Sequence, residues 1–131
     1  MNAQITKYVL IAVGGAFGSV MRYALQGAVQ RWAGSTFPAG TIAVNLLGCF
    51  AIGALSAAFA GPVLVREEYR IGLTVGVLGG FTTFSTFGLE TFNLAAIGES
   101  RFAWANVVLS CGLGVADVWL GYRLVERWLG A

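Results

Sequence analysis

Three residues with hydrogen-bonding side chains follow one another at helical spacing in an otherwise apolar stretch. Thr83, Thr86 and Glu90 recur at i, i+3 and i+7, which places them on one face of a helix. Ser85 adds a further hydroxyl between them. Hydroxyls donate and accept hydrogen bonds and an ionised carboxylate accepts them, so this face predicts a polar pathway or a buried polar site. Alternatively, the hydroxyls bond back to carbonyls of their own helix.

A ladder of phenylalanines lies beside these polar residues. Phe81, Phe84 and Phe87 recur at i, i+3 and i+6, so they climb one side of a helix with a slow drift in angle. Aromatic ladders in membrane helices also serve as plain packing or lipid contacts. The density of polar groups next to this ladder favours a functional interpretation.

A break in the same helix is predicted near Gly79 to Thr82. The tandem glycines lose backbone entropy in a helix, and the threonines that follow compete for local hydrogen bonds. Irregular backbone at membrane depth is tolerated only where it is buried in protein or lines a wet cavity. The predicted break therefore also indicates a pathway or a buried site.

The composition of the chain sets the environment of these residues. The 131 residues are 57% hydrophobic and 11% charged, and the mean hydropathy is +0.76. These values are typical of an integral membrane protein. A membrane helix needs about 20 apolar residues, and four stretches qualify, approximately residues 8–25, 40–60, 71–97 and 102–122. We expect an all-α membrane protein with a single integral membrane domain, whose function lies within the bilayer.

Several functional classes are disfavoured by the residue types present. The chain has no histidine and no cluster of carboxylates or cysteines at ligand spacing, which argues against a transition-metal site. No nucleophile is paired with a base, so we expect no enzyme, and no Lys/Arg run indicates a nucleic-acid partner. Cys49 and Cys111 lie mid-span, where we expect buried thiols and no disulfide. The first span is too long for a cleaved signal peptide and carries Arg22, so we interpret it as a retained span.

Polar residues in the other spans each permit two interpretations. Arg22, near the end of the first span, is either an interfacial anchor or a fixed positive charge at the mouth of an anion path. Asn45 in the second span either hydrogen-bonds between helices or donates its amide N–H groups to an anion. Asn106 and Ser110 share one face of the fourth span. That face either completes a polar track beside the third span or bonds within the bundle.

Small residues at four-residue spacing predict how the helices pack. Gly14 and Gly18 form such a pair in the first span, and Gly72, Gly76 and Gly80 repeat the spacing in the third. Small residues let membrane helices approach each other backbone to backbone. We therefore assign these glycines to packing within the bundle.

The orientation of the chain in the membrane is weakly specified by its charges. An even number of spans puts both termini on one side. That side collects Lys7, Arg66, Arg70, Arg123 and Arg127, and the opposite side collects Arg22, Arg31 and Arg101. So small a bias allows insertion in both orientations. Two copies inserted in opposite directions would pair as an antiparallel, two-fold dimer.

Three segments of the chain carry a resemblance to a known family. They are Gly79-Gly80-Phe81-Thr82-Thr83-Phe84-Ser85-Thr86-Phe87, Val44-Asn45-Leu46-Leu47-Gly48 and Gly18-Ser19-Val20-Met21-Arg22. The sequence resembles the Fluc fluoride channels, also called the CrcB family, over all four spans. The resemblance implies an antiparallel, dual-topology homodimer in the cell (inner) membrane. Its two pores would export fluoride passively and so prevent toxic accumulation.

The resemblance also implies roles for individual residues. Phe84 and Phe87 are similar to the pore phenylalanines of the family, and Asn45 is similar to the amide donor near them. The rest of the implied fluoride pathway comprises Thr83, Ser85, Thr86, Glu90, Asn106 and Ser110, with Arg22 by the vestibule. The family holds a structural sodium ion at the dimer centre. Its implied ligands here are the backbone carbonyls of Gly79 and Thr82 from both subunits.

The chemistry of fluoride is compatible with these residues. The positive ring edges of Phe84 and Phe87 favour a small anion without trapping it. Fluoride is tightly hydrated, so its entry requires donors such as the Asn45 amide and the neighbouring hydroxyls in place of water. A larger halide gains less from that tight geometry.

Other functions stay open at this point. A small four-span multidrug exporter has a similar size and dual topology, but it depends on a carboxylate in its first span, and this first span has none. A proton-coupled fluoride carrier would require Glu90 to titrate and would respond to a pH gradient. A purely structural membrane subunit would show no flux.

Overall fold

Helices joined by short connections make up the fold over the residues that the structure describes. The structure is a computed structural model, and it describes residues 2–62 and 64–130. The helices are α1 (Ala3–Ala33), α2 (Ala39–Ala60), α3 (Glu67–Ile71), α4 (Gly79–Phe81), α5 (Phe84–Ala96), α6 (Ser100–Val108) and α7 (Gly114–Leu129). A first π-helical stretch, Gly72–Leu78, joins α3 to α4, and a second, Leu109–Leu113, joins α6 to α7.

These elements combine into four spans long and apolar enough to cross a membrane. The spans are Ala3–Ala33, Ala39–Ala60, Glu67–Ala96 and Ser100–Leu129. The predictions of an all-α fold and of a multi-pass membrane protein are confirmed. The helices extend beyond the predicted apolar stretches: α1 has 31 residues and is therefore about 46 Å long, more than the roughly 30 Å of a hydrocarbon core.

The connection between α1 and α2 is fixed by the side chain of Gln30. Helix α1 ends at Gly34, whose φ of 59° is the left-handed conformation that glycine adopts readily. The Gln30 amide nitrogen donates to the carbonyl oxygens of Ser35 at 2.7 Å and Phe37 at 3.0 Å. Its amide oxygen accepts from the N–H of Gly40 at 3.1 Å. One side chain thus satisfies backbone groups on both sides of the turn.

Glycines bring the first and third spans into backbone contact. A Cβ on Gly14 would lie 2.8 Å from the carbonyl oxygen of Gly72, and one on Gly80 would lie 2.5 Å from that of Gly15. A Cβ on Gly18 would collide with the carbonyl oxygen of Val77. The predicted role of these glycines in bundle packing is confirmed. We call this contact between α1 and residues 72–80 the glycine seam.

A second close contact joins the second and fourth spans. A Cβ on Gly53 would collide with the carbonyl oxygen of Val118, and one on Gly121 would collide with that of Phe50. The two glycines lie on opposite partners, α2 and α7, so each helix presents a small residue to the backbone of the other. This contact was not predicted, because neither glycine stands in a repeated four-residue pattern.

Two extended residues separate α4 from α5. Thr82 has φ −94° and ψ 160°, and Thr83 has φ −151° and ψ 116°. Gly79, in contrast, is helical with φ −61°, so the departure from helical backbone occurs at the threonines that follow the glycine pair. The Thr83 side chain then caps α5 by accepting from the N–H of Thr86 at 3.2 Å.

Candidate functional site

The extended segment is held in place by Asn45 of α2. The Asn45 amide nitrogen donates to the carbonyl oxygen of Thr83 at 3.0 Å, and its amide oxygen accepts from the N–H of Thr83 at 2.8 Å. This pair of bonds replaces the helical bonds that Thr83 forgoes. An asparagine amide has two N–H groups, and only one is used by a partner within residues 2–62 and 64–130. Asn45 therefore serves as an interhelical bond and still offers one donor.

A cluster of three hydroxyls surrounds the first turn of α5. The Thr83 hydroxyl donates to that of Thr86 at 2.9 Å, and it lies 3.4 Å from the hydroxyl oxygen of Ser85. Thr83 is buried and Ser85 is exposed. The Thr83 and Thr86 hydroxyls thus bond to each other, but Thr83 is extended and precedes α5, so the two residues do not share a helical face as the spacing predicted.

Asn45 and Thr83 open onto a groove between the second, third and fourth spans. We call it the large groove; its volume is about 530 Å³. The predicted pathway residues that line it are Asn45, Thr83, Phe84, Phe87 and Ser110, and the predicted metal-site residues that line it are Gly79 and Thr82. The structure thus brings together seven of the twelve residues singled out in the sequence. Both cysteines, Cys49 and Cys111, also line the groove and carry free thiols; Cys49 is half-buried and Cys111 is exposed, so the expectation of buried thiols was wrong.

The two phenylalanines of the groove differ in burial. Their ring centroids are 5.3 Å apart and the ring planes are tilted by 46°. Phe87 is 8% exposed, whereas Phe84 is 81% exposed. Neighbouring tilted rings present edges as well as faces to the space beside them. One ring is fixed by packing, and the other is open to whatever occupies the groove.

The carbonyl groups of Gly79 and Thr82 lose their helical donors at the extended segment. In a continuous helix Thr83 N–H would bond to Gly79 and Thr86 N–H would bond to Thr82. Instead, Thr83 N–H donates to Asn45 and Thr86 N–H donates to the Thr83 hydroxyl. Two carbonyl oxygens freed in this way are hard ligands of the kind that an alkali cation accepts. The residues present therefore fit a sodium ion.

Arg22 contacts the backbone of the third span at Gly80. Its Nε donates to the carbonyl oxygen of Gly80 at 2.9 Å, and the Ser19 hydroxyl lies 3.5 Å from the same oxygen. Arg22 lines neither the large groove nor the smaller cavity described next. The structure therefore places its Nε at the glycine seam, and its other guanidinium donors have no hydrogen-bond partner within the described part of the chain.

Glu90 lies apart from the large groove. Its Oε1 accepts from the Thr41 hydroxyl at 2.7 Å, and Thr41 in turn accepts from the Gln26 amide nitrogen at 3.0 Å. Its Oε2 is buried and has no hydrogen-bond partner in the part of the chain that the structure describes. A cavity of about 260 Å³, which we call the small cavity, is lined by Glu90 together with Gln26, Gln30, Thr36, Pro38, Asn93, Leu94 and Ile97.

The fourth span joins α5 through Asn106. Asn106 is fully buried, and its amide nitrogen donates to the Thr91 hydroxyl at 2.8 Å. The Ser110 hydroxyl donates to the Asn106 amide oxygen at 3.2 Å, and Thr91 donates to the carbonyl oxygen of Phe87 at 2.7 Å. This chain of bonds runs from the groove-lining Ser110 to the backbone of the groove-lining Phe87.

Three polar residues of this region were missed in the sequence. They are Gln26, Thr41 and Thr91. A signal was present for two of them, because Thr41 precedes Asn45 by one helical turn and Thr91 follows Phe87 by one turn. Gln26 follows Arg22 at the same spacing, but nothing in the sequence indicates that it reaches Thr41.

The fold and the site together define a small multi-pass membrane protein whose polar side chains are gathered between its spans. The particular family follows from comparison with known proteins. Residues 9–122 match the model of the CrcB-like protein family, described as camphor resistance (CrcB). The chain belongs to this family, and the resemblance noted in the sequence is confirmed.

Relatives of similar length carry a functional name. A fluoride-specific ion channel FluC of Geobacter sulfurreducens is 49% identical over 123 residues, which cover 94% of this chain and 99% of the relative. The protein of the same name from Solibacter usitatus is 46% identical over 124 residues, 92% of this chain and 99% of the relative. That of Opitutus terrae is 49% identical over 120 residues, 90% of this chain and 91% of the relative.

Proposed function

We propose that this protein is a fluoride-selective passive channel that exports fluoride across the cell membrane and prevents its toxic accumulation. The observation that carries the proposal is the large groove, where the free amide N–H of Asn45, the Thr83 hydroxyl and the rings of Phe84 and Phe87 meet. The relatives named as fluoride-specific ion channels, aligned over nearly their whole length, support it.

The donors of the groove suit a small, strongly hydrated anion. Hydrogen-bond donors must replace the water that such an ion gives up when it enters a pore. Within the groove Asn45 offers one amide N–H, and beside it the hydroxyls of Ser85 and Thr86, which contact the groove-lining Thr83, rotate to suit an ion. None of these groups carries a full positive charge, so the ion is attracted but can leave. Weak, repeated sites of this kind are what conduction requires.

The phenylalanine rings contribute without binding the ion tightly. Ring edges carry the positive end of the aromatic quadrupole, and Phe84 and Phe87 stand 5.3 Å apart at the groove. Apolar rings also exclude competing water from the path. In this proposal, Ser110 and Asn106 extend the polar track along the fourth span, and the positive charge of the Arg22 guanidinium attracts anions toward the vestibule.

The assembly we propose is an antiparallel, dual-topology homodimer. The large groove is open to the outside of a single chain, and Phe84 at 81% exposure lies beside it. A second copy inserted in the opposite direction would cover this surface and close the pathway. The extended residues Thr82 and Thr83 break the third span, and the partner would shield that irregular backbone from lipid.

We further propose a structural sodium ion bound by the freed carbonyls of Gly79 and Thr82 from both subunits. A bound sodium ion would supply positive charge that offsets the unpaired carbonyl dipoles. The chain's own contribution is to free the oxygens, because Asn45 and the Thr83 hydroxyl take the donors that a helix would give them. The two subunits would be held together at this point.

The test is fluoride efflux from liposomes that contain the purified protein, followed with a fluoride electrode without a pH gradient. A parallel set of liposomes is loaded with chloride. Fast fluoride release with little chloride release is expected. Equal release of both anions, or no release of either under any gradient, would overturn the proposal.

A proton-coupled fluoride carrier is the second candidate. It is favoured by one observation, the buried Oε2 of Glu90 without a partner among the described residues. The same liposomes distinguish the two functions. Fluoride release that occurs only when a proton gradient is imposed, and that is lost in Glu90→Gln, would identify the coupled carrier.

A further inference from the structure

Three side chains from three helices form one directed chain of hydrogen bonds. Gln26 of α1 donates to Thr41 of α2 at 3.0 Å, and Thr41 donates to Glu90 of α5 at 2.7 Å. Thr41 is 1% exposed, so its hydroxyl is shielded from bulk water. These two bonds connect α1, α2 and α5.

The direction of this chain is dictated by the number of hydrogens. A threonine hydroxyl has a single hydrogen to donate. The Gln26 amide nitrogen is a donor and has no acceptor capacity, so the bond between Gln26 and Thr41 does not use that hydrogen. The hydroxyl hydrogen is left for Glu90 Oε1. If the Gln26 side chain were absent, the Thr41 hydroxyl would be free to rotate toward another acceptor, such as a carbonyl of its own helix.

We propose that Gln26 is a positioning residue for Glu90. Its amide fixes the Thr41 hydroxyl as the donor to Oε1, so that Oε2 is the one oxygen of the carboxylate available to an ion, a water molecule or a proton. This positioning role depends on the proposed function only where it predicts an effect on fluoride flux. The bond arrangement itself is a property of this chain.

The charged residues on the neighbouring helices are bonded elsewhere or exposed. Glu90 is the one ionisable residue among those that line the small cavity. Helix α2 carries no acidic or basic side chain from Ala39 to Ala60. Among the basic residues of α1, Arg22 uses its Nε at Gly80 and Lys7 pairs with Glu67 at 2.9 Å. Arg31 of α1 and Arg101 of α6 are exposed.

The direct test is infrared spectroscopy of the protein in lipid. The Glu90 carboxyl bands are isolated as the difference between the wild type and Glu90→Gln. Thr41→Val, which removes the donor, is expected to shift these bands. Gln26→Met keeps the length of the side chain but removes its amide, and it is expected to produce at least half of that shift. The double variant is expected to shift the bands no more than Thr41→Val alone. Gln4→Met is the matched control, because Gln4 lies on the same helix and, among the described residues, its side chain bonds to the Tyr8 hydroxyl alone.

The outcomes separate this role from a structural one. A Gln26→Met spectrum with the Glu90 bands at their wild-type position overturns the proposal, whatever happens to stability. Additive shifts in the double variant also overturn it, since they would mean that Gln26 acts on Glu90 by another route.

Fluoride efflux of the same variants tests the consequence for transport. Gln26→Met and Thr41→Val are expected to reduce efflux by a similar factor, with no further loss in the double variant. Shifted bands with unchanged efflux would leave the positioning role intact and remove Glu90 from the fluoride pathway. Absence of efflux in the wild type would refute the proposed function, while the infrared result would still decide the role of Gln26.

Discussion

The third span meets its neighbours in two different ways. Along Gly72, Gly76 and Gly80 it lies tightly against α1, and a Cβ on Gly80 would come within 2.5 Å of the Gly15 carbonyl oxygen. At and beyond the extended threonines, the span is linked to α2 by side chains, Asn45 to Thr83 and Thr41 to Glu90. The first contact is close-packed. The second is bordered by the large groove and the small cavity.

The difference separates the part of the span that fixes the bundle from the part that is available to a ligand. Backbone contact through glycine leaves no side chain to move, so the relative position of the two helices is rigid. Hydrogen bonds through side chains hold α5 in place while leaving polar atoms next to open space. We therefore expect substitutions in the glycine seam to change stability and substitutions around Asn45 to change transport.

The largest expected effect is that of Gly18→Ala on folding. The added methyl group would collide with the Val77 carbonyl and lie 2.9 Å from the Phe81 nitrogen. Neither backbone atom can move without separating the helices, so we expect a loss of about 3 kcal/mol in the free energy of unfolding. Thermal unfolding in detergent measures it. Gly15→Ala is the control, because its nearest atom would be the Gly76 oxygen at 3.9 Å. Equal midpoints for Gly18→Ala and the wild type would show that the seam is not rigid.

Asn45→Asp tests the side-chain contact between Asn45 and Thr83. It is expected to suppress fluoride efflux about a hundredfold, which corresponds to a barrier higher by roughly 2.7 kcal/mol. A carboxylate cannot donate to the Thr83 carbonyl, and its charge repels an anion by several kcal/mol in a partly dry site. Efflux from liposomes gives the rate. Asn2→Asp is the control, because either residue caps α1. Normal efflux in Asn45→Asp would mean that the anion does not pass this amide.

Phe84→Ile is expected to reduce efflux about tenfold, corresponding to roughly 1.4 kcal/mol. The substitution removes the ring edge but retains an apolar side chain, and at 81% exposure it costs a single chain little packing. The unfolding midpoint should therefore stay near that of the wild type. Phe92→Ile, on the same helix and 68% exposed, should leave efflux unchanged. If both variants slow efflux equally, the ring at position 84 has no specific part in conduction.

The smallest effect is expected for Lys7→Gln. The Lys7 ammonium lies 2.9 Å from the Glu67 carboxylate and joins α1 to α3 next to the glycine seam. Exposed ion pairs contribute less than about 1 kcal/mol, so the unfolding midpoint should fall only slightly. The difference from the wild type should shrink further at high salt. A loss as large as that of Gly18→Ala would mean that charge, not backbone contact, holds the two spans together.

The four spans and the glycine seam were predictable because each leaves a repeated signal in the sequence. A span requires about 20 apolar residues, and the seam follows a four-residue period from Gly72 to Gly80. Glycines in a span permit two interpretations, a close helix contact or a weakened helix. The pair Gly79 and Gly80 suggested weakened helix, but both are helical, and the extended backbone lies at Thr82 and Thr83.

The connections between helices could not be predicted from spacing. Thr41 and Glu90 are separated by 49 residues and Asn45 and Thr83 by 38. Helical periodicity relates residues only within one helix, so it reveals the polar face of α5 but not the residues that this face meets. The chain from Gln26 through Thr41 depends on how three helices pack, and this became visible only in the structure.

The two π-helical stretches have a consequence for how the chain tolerates insertions and deletions. A π turn accommodates about one more residue than an α turn, and each residue of an α-helix advances the side-chain direction by about 100°. Deleting one residue within Gly72–Leu78 would let the span relax to a regular α-helix at almost the same length. The helical face of α3 would then keep nearly its present direction relative to α4, because the wider π turn had absorbed the extra residue. The third span thus carries one residue that can be lost without changing the direction of its flanking helices, and the same holds for Leu109–Leu113 in the fourth span.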